Sequence, residues 1–310
     1  MIVLQQNVLL KNLNTWRVGG TAEYFIEPET PEQLADFLLQ EGGKFGQITW
    51  LGLGSNVLIP DTGLAGIVIS TSRLNQLTLL HSKVESNLVY AEAGVPCAKL
   101  AKFCAKNNLV GGAFFAGIPG TVGGALAMNA GAFGGETWPL VQEVEVINRA
   151  GKIIRKLANE FTYAYRHIEP KEPKEQTEKL DKLESMGFLA GIFKFESADE
   201  TLDLQAPVRA LLKKRNETQP IGTFNCGSVF RNPPGDHAAR LIELCGLKGV
   251  KEGGAVVSPK HANFIINQDN ATAEEIYRLI KKVKKTVFQE TGVTLIPEVK
   301  FLGWQGNEST

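Results

Sequence analysis

The 310 residues carry 33 basic and 33 acidic side chains, so the formal net charge is zero, and the 43 % hydrophobic content is that of an ordinary globular chain. Length predicts two or three domains, and balanced charge gives no electrostatic reason to expect nucleic acid or an anionic membrane as partner. Cys97, Cys104, Cys226 and Cys245 include no Cys-x-x-Cys. The first two, about 10 Å apart along a helix, are too far apart to bridge, which fits a reduced cytosolic chain. The start, Met1-Ile2-Val3-Leu4-Gln5-Gln6, has no basic segment ahead of an apolar one, so no signal peptide is expected.

In chain order, Asn14-Thr15-Trp16-Arg17-Val18-Gly19-Gly20 leads into a strand from Ala22 to Glu27. Thr30-Pro31-Glu32-Gln33 supplies an N-cap, a proline at the first helical position and a capping-box glutamine. The helix that follows should reach Glu41 and stop at Gly42-Gly43. Ile48 to Leu51 is a strand entering Gly52-Leu53-Gly54-Ser55-Asn56, and Val57-Leu58-Ile59 leaves it. That loop is a candidate phosphate turn or a plain strand-to-strand turn, since the third glycine and helix start of a dinucleotide fingerprint are missing. Ile67-Val68-Ile69, Leu77 to Leu80 and Leu88 to Ala93 read as further strands, and Pro96 opens a helix with apolar Ala98, Leu100, Ala101, Cys104 and Ala105.

The stretch Gly111–Gly135 holds nine glycines in twenty-five residues and no charge, interleaved with Phe, Ile, Val, Leu and Met. Glycine lets bare backbone approach a ligand, and successive N–H groups form nests for anions. A diphosphate cradle is one reading, a tightly packed loop without ligand another. The run is also long enough for a membrane span, but Gly and Pro at this density form helices poorly.

Beyond it, Val141 to Asn148 and Ile153 to Leu157 form a hairpin around Arg149-Ala150-Gly151-Lys152. Glu169 to Glu184, ten charged residues in sixteen with two prolines, reads as a solvated excursion. Phe188 to Phe195 returns as a strand. Leu204 to Arg215 and Ala238 to Cys245 read as helices, Val256-Val257 and Asn263 to Asn267 as strands. A capping box at Thr272-Ala273-Glu274-Glu275 opens a long amphipathic helix ended by Gly292, and Pro297 to Leu302 is a last strand.

No metal site is predicted: His81, His167, His237 and His261 lie far apart, without zinc spacing. No P-loop is present, and Gly227-Ser228-Val229-Phe230-Arg231 lacks the closing glycine of a hydrolase elbow. Three polar groups stand out by context. Arg166, in Tyr163-Ala164-Tyr165-Arg166, is either a site cation or a surface arginine stacked on tyrosine. Ser228 is a site hydroxyl or an ordinary turn serine. Glu298, in an otherwise apolar strand, is a site carboxylate or a solvent-facing one.

Taken together, Gly52-Leu53-Gly54-Ser55-Asn56-Val57, Gly117-Ile118-Pro119-Gly120-Thr121-Val122-Gly123-Gly124-Ala125 with Met128-Asn129-Ala130-Gly131-Ala132, Tyr165-Arg166, Gly227-Ser228-Val229-Phe230-Arg231-Asn232-Pro233 and Pro297-Glu298-Val299 resemble the UDP-N-acetylenolpyruvoylglucosamine reductase family. These are flavoenzymes of bacterial peptidoglycan synthesis, and hence of cell-wall biogenesis, shape and division. The motifs run in order over roughly residues 12 to 303. The resemblance implies an α+β chain: a two-subdomain FAD-binding module of the PCMH type, shared with vanillyl-alcohol oxidases, followed by a C-terminal α+β substrate domain. The expected division is 1–70, 71–200 and 201–310.

It further implies non-covalent FAD, held at Leu53, Gly54, Ser55, Asn56, Gly117, Ile118, Pro119, Gly120, Thr121, Gly123, Gly124, Asn129 and Gly131. In the family's reaction NADPH reduces the flavin and leaves, and hydride then passes to the β-carbon of UDP-N-acetylglucosamine enolpyruvate, giving UDP-N-acetylmuramate. By motif, Arg166 and Glu298 would bracket the enolpyruvyl carboxylate, and Ser228 would give its proton to the α-carbon. Tyr165, Asn232 and His261 would contact substrate. The partner is thus a small molecule, with no nucleic acid and no membrane, and the protein is expected to be a cytoplasmic monomer. Thr218 stands where many members carry a lysine, leaving Lys213, Lys214 or Arg215 for the diphosphate. The tyrosine-bearing loop of one subclass is missing, which implies the shorter subclass. Two rival readings remain: another FAD oxidoreductase on this scaffold, or a flavin-binding protein without catalysis.

Overall fold

The computed structural model describes residues 2–80, 87–171, 186–199 and 202–304. His81 and most of the charged run after Glu169 lie outside the described residues. The chain forms two compact units. One contains Phe25–Leu53 and Gly66–Lys213 with the first few residues, and the other Gln6–Tyr24, Gly54–Ala65 and the chain from Lys214 onward. Residues 1–70, expected as a subdomain, are therefore distributed over both units.

The first unit is built on a five-stranded antiparallel sheet, ordered Ile153–Leu157, Val141–Ile147, Gly187–Lys194, Leu88–Glu92, Leu77–Leu80. Gly187–Lys194 is its central strand and is buried along nearly all its length, as a near-continuous apolar run allows. The helix Cys97–Lys106 buries Cys97, Leu100, Ala101 and Cys104, the face that the i, i+3, i+4, i+7 spacing predicts. Phe115, Trp138 and Phe193 join the same core. Burial pushes the Cys97 and Cys104 thiols up to about 12, so both are inert packing groups. A second helix, Pro31–Glu41, starts on the predicted cap: Thr30 Oγ1 accepts the Gln33 N–H at 3.2 Å. The Gln33 side chain accepts from Glu29 N–H, one residue earlier than a capping box requires.

The second unit packs the 19-residue helix Ala273–Thr291 against a three-stranded sheet, Lys251–Glu252, Ala255–Val257 and Ile265–Asn267. Its core includes Trp16, Leu58, Val229, Phe230, Ile276, Leu279 and Val283. The helix carries the full capping box at Thr272 and Glu275, and Gly292, at φ 71°, ends it in the left-handed conformation that favours glycine. Asp61 reinforces that start, accepting the N–H groups of Ala273 and Glu274.

Two elements differ from the sequence reading. Only Lys300–Phe301 of the last strand is laddered, parallel to Val57–Leu58, while Pro297 bridges to Phe230. The glycine stretch contains a 3-10 turn, Ala113–Gly117, and a seven-residue helix, Val122–Met128. Apolar residues at Val122, Ala125 and Leu126 are buried there, so packing overrides the glycines' poor helix propensity.

Candidate active site

In the first unit the glycine stretch divides into packed and open positions. A Cβ on Gly117 would meet the Phe133 ring at 2.6 Å, and one on Gly123 would meet Ala93 Cβ at 2.8 Å, so these two glycines serve close packing. The N–H groups of Gly120, Val122 and Gly123 are donated internally, to the carbonyls of Ile118, Val95 and Ala93. What faces outward is narrower: Gly124 is exposed, and a Cβ added there would lie 4.0 Å from Thr121 Oγ1. Thr121 is itself 4 % exposed, and its hydroxyl is buried without a hydrogen-bond partner. Gly52 borders the same hydroxyl, where a Cβ would sit 2.7 Å from Thr121 Oγ1. A buried hydroxyl without a partner costs on the order of 1–3 kcal/mol, and such an atom in a native structure calls for an explanation.

The first unit also holds Arg166. A hairpin, Phe161–Ala164 with His167–Pro170, places Tyr165-Arg166 at its two-residue turn, with Arg166 at φ 55°. A non-glycine residue in that region carries about 1–2 kcal/mol of strain, a cost that clusters at functional sites. Its guanidinium lies 5.1 Å over the Tyr165 ring, the stacking the sequence left open, and donates to Asn129 O (3.4 Å) and Gly131 O (3.2 Å). Asn129 is fully buried, at φ 44°, capping the short helix. Its Nδ2 donates to Glu136 Oε2 and Ala164 O, both at 3.0 Å, and its Oδ1 accepts the Trp138 N–H at 3.0 Å. The Asn129 side chain thus ties the Arg166 hairpin to the glycine stretch.

In the second unit, Gly54 has φ 66°, and a Cβ there would lie 2.3 Å from Leu13 O and 2.7 Å from Asn14 Cα. Only glycine fits both demands. Gly54 O accepts the Thr15 N–H at 3.1 Å, and the Thr15 hydroxyl is a second buried group without a hydrogen-bond partner. Leu53, just before this turn in sequence, is half exposed, and Ser55 is partly exposed. Asn56 reaches the chain end: its Nδ2 donates to Glu298 O at 3.0 Å.

The segments that carry Ser228 and Glu298 adjoin here. Glu298 N–H donates to Val229 O at 2.7 Å, and Phe230 bridges antiparallel to Pro297, so Ser228 and Glu298 lie on adjoining extended segments. Glu298 is 9 % exposed and Ser228 half-buried, which excludes the solvent-facing reading of the glutamate. Burial, and secondly the Glu298 charge, hold the Cys226 thiol well above its usual range. Asn232 Oδ1 accepts the Ala238 N–H at 3.1 Å, ahead of the helix Ala238–Leu244. His261 Nδ1 accepts the Asn263 N–H at 3.3 Å, and burial lowers its pKa. Thr218 bonds back to Lys214 O within its own helix. Arg215 is partly buried beside Gln219, and burial lowers its pKa.

A model of the FAD-binding domain matches residues 22–156, and a model of the UDP-N-acetylenolpyruvoylglucosamine reductase C-terminal domain matches 219–302. A UDP-N-acetylenolpyruvoylglucosamine reductase of Coxiella burnetii is 49 % identical, covering 95 % of this chain and 94 % of its own. That of Nitrosomonas eutropha is 45 % identical over 98 % of this chain and 90 % of its own. The chain belongs to the UDP-N-acetylenolpyruvoylglucosamine reductase family. The crystal structure of the Thermus caldophilus reductase superposes with a TM-score of 0.79 at 28 % identity, covering 97 % of this chain and all of that one.

As a member of this reductase family the protein is an FAD-dependent oxidoreductase of α+β fold with an FAD-binding domain and a reductase C-terminal domain. The residues present fit the cofactor. Thr121 and Thr15 offer partnerless buried hydroxyls beside the two predicted loops, as a diphosphate's acceptor oxygens require. Sequence reasoning missed Thr15, and also Arg231, whose Nε is buried with no partner three residues after Ser228. Arg231 lies inside the Gly227–Pro233 motif, whereas Thr15 meets Gly54 only in the fold. Among the described residues no group of His, Cys, Asp and Glu could hold a metal, and no helix is long and apolar enough to cross a membrane.

Proposed function

We propose that this chain reduces UDP-N-acetylglucosamine enolpyruvate to UDP-N-acetylmuramate with NADPH as the electron source, using Arg166, Ser228 and Glu298. The observation that carries the reading is the main-chain bond from Glu298 to Val229, which sets a buried carboxylate on the segment adjoining Ser228. Bound FAD would supply a two-electron carrier between NADPH and the β-carbon of the enolpyruvyl ether. Thr121 with Gly52 and Gly124, and Thr15 with the Gly54–Asn56 turn, would hold its diphosphate.

The protein's own groups do the rest. Arg166 offers a fixed cation, held by two backbone carbonyls, to a carboxylate that gains charge as the double bond is reduced. Ser228 Oγ gives a proton to the α-carbon. An aliphatic hydroxyl is a feeble acid, so this needs a strongly basic carbon and a hydroxyl held within reach. Being half-buried, Ser228 can recover its proton from water. Glu298 supports the substrate carboxylate as the neutral acid or through a hydrogen bond, because two bare anions repel. Tyr165, Asn232 and His261 would contact substrate, with Lys213, Lys214 or Arg215 taking the role left open by Thr218. The division 1–70, 71–200 and 201–310, a monomeric state and a cytoplasmic location belong to the same reading.

The test follows NADPH oxidation by the flavin-loaded enzyme with and without UDP-N-acetylglucosamine enolpyruvate. Substrate-dependent turnover is expected. Turnover indifferent to that substrate would leave another FAD oxidoreductase on this scaffold in its place.

A further inference from the structure

We propose that Asn263 is a positioning residue for the reductase reaction, fixing the segment that carries Ser228 and hence the point at which the serine hydroxyl delivers its proton. The inference rests on the proposed proton-donor role of Ser228.

Asn263 is 4 % exposed and grips the Ser228 segment three times. Its Oδ1 accepts the Phe230 N–H at 3.0 Å, its Nδ2 donates to Phe230 O at 2.8 Å, and its main-chain carbonyl accepts the Val229 N–H at 2.9 Å. The carboxamide therefore pairs with both polar groups of Phe230, which is 2 % exposed and has no water to turn to. Only a side chain with a donor and an acceptor on one planar group does this; an aspartate lacks the donor and a leucine both.

The far edge of the same segment is where the chemistry lies. Val229 gives its N–H to Asn263 and its carbonyl to the Glu298 N–H, so one residue links the clamp to the glutamate. Immediately before Ser228, Gly227 sits at φ 82°, its N–H held by Asn225 Oδ1 at 2.9 Å. Ser228 is thus suspended between a glycine turn and a clamped pair. Asn263 is itself fixed by a turn in which the buried Ser258 Oγ accepts from Lys260 and His261, each at 3.2 Å, while His261 Nδ1 accepts from Asn263. Loosening the clamp moves Ser228 relative to Glu298. A misplacement on the scale of 1 Å costs up to about 10²-fold in rate.

The experiment is a double-mutant cycle on the flavin-loaded enzyme, read by rapid mixing in two halves: flavin reduction by NADPH, and reoxidation of the reduced enzyme by UDP-N-acetylglucosamine enolpyruvate. Asn263→Ala should slow reoxidation by about 10-fold or more and leave flavin reduction within about twofold. On a Ser228→Ala background the same change should have no further effect on reoxidation, because the group it positions is gone. Equal slowing with and without Ser228 would overturn the proposal and leave Asn263 a general structural residue, as would an unchanged reoxidation rate in Asn263→Ala when Ser228→Ala is slow. A Ser228→Ala enzyme that reoxidises normally would remove the proton-donor reading and this inference with it. Should Asn263→Ala not fold, Asn263→Asp, which keeps the acceptor toward the Phe230 N–H, carries the same cycle with the same criteria.

Discussion

The glycine stretch of the first unit and the Ser228 segment of the second treat polar groups inside a packed structure in opposite ways. Around Thr121 the N–H groups of Gly120, Val122 and Gly123 are already donated and a buried side-chain hydroxyl is left over, so readiness lies in one atom without a partner. Beside Ser228 the neighbours are what is held tightly: Val229 on both edges, Phe230 by a carboxamide. The first arrangement suits binding, where an incoming ligand completes the hydrogen bonding. The second suits chemistry, where position within fractions of an ångström decides the rate.

The largest effect that would sharpen this contrast is in the second region. Ser228→Ala should slow reoxidation of the reduced enzyme by substrate about 10²-fold or more while flavin reduction by NADPH stays nearly intact; stopped-flow absorbance separates the two. Equal damage to both halves would break the division between binding and chemistry.

Next comes Asn129→Ala, which removes three hydrogen bonds, one buried and two part-buried, and leaves the Trp138 N–H unpaired. A loss of about 2–4 kcal/mol is expected in urea unfolding, together with weaker substrate reduction as the Arg166 hairpin loosens. A variant as stable as the parent would show that the tie between hairpin and glycine stretch is dispensable.

Thr121→Val tests the first region with the sign reversed between two readouts. FAD affinity, from flavin fluorescence titration, should fall about 10-fold as a hydrogen bond to a charged group is lost. The apoprotein should unfold at the same or a higher denaturant concentration, since a partnerless buried hydroxyl is gone. Affinity unchanged would mean that the hydroxyl does not face the cofactor. Thr15→Val should behave alike in the second unit.

The smallest effect is electrostatic. Burial lowers the His261 pKa in the folded chain, so between that value and about 6.5 the unfolded chain binds more protons. Stability then rises with pH through this window and is lost as pH falls below about 6.5. His261→Gln should flatten that slope in thermal melts recorded from pH 7 downward, and an unaltered slope would assign it to other groups.

Much of this was legible beforehand. The helix Pro31–Glu41 follows from Thr30, Pro31 and the glycines after it, and the long helix from its capping box and Gly292, because caps and stops are local interactions. The hairpin Val141–Ile147 with Ile153–Leu157 was readable for the same reason. The hairpin that carries Arg166 was not, since its turn, Tyr165-Arg166, holds an arginine at positive φ where Gly or Asn is the usual signal. Nor was the burial of Glu298, because a lone carboxylate in an apolar strand defaults to solvent unless a distant segment covers it.

The order of motifs along the chain determined the family and its cofactor by itself, because each short motif fixes a local backbone shape that its ligand requires. Which atoms in those motifs are left available was decided only by tertiary structure. Whether an N–H is already donated, or a hydroxyl is sealed off without a partner, depends on residues such as Val95, Leu13 and Asn263, brought alongside from elsewhere in the chain.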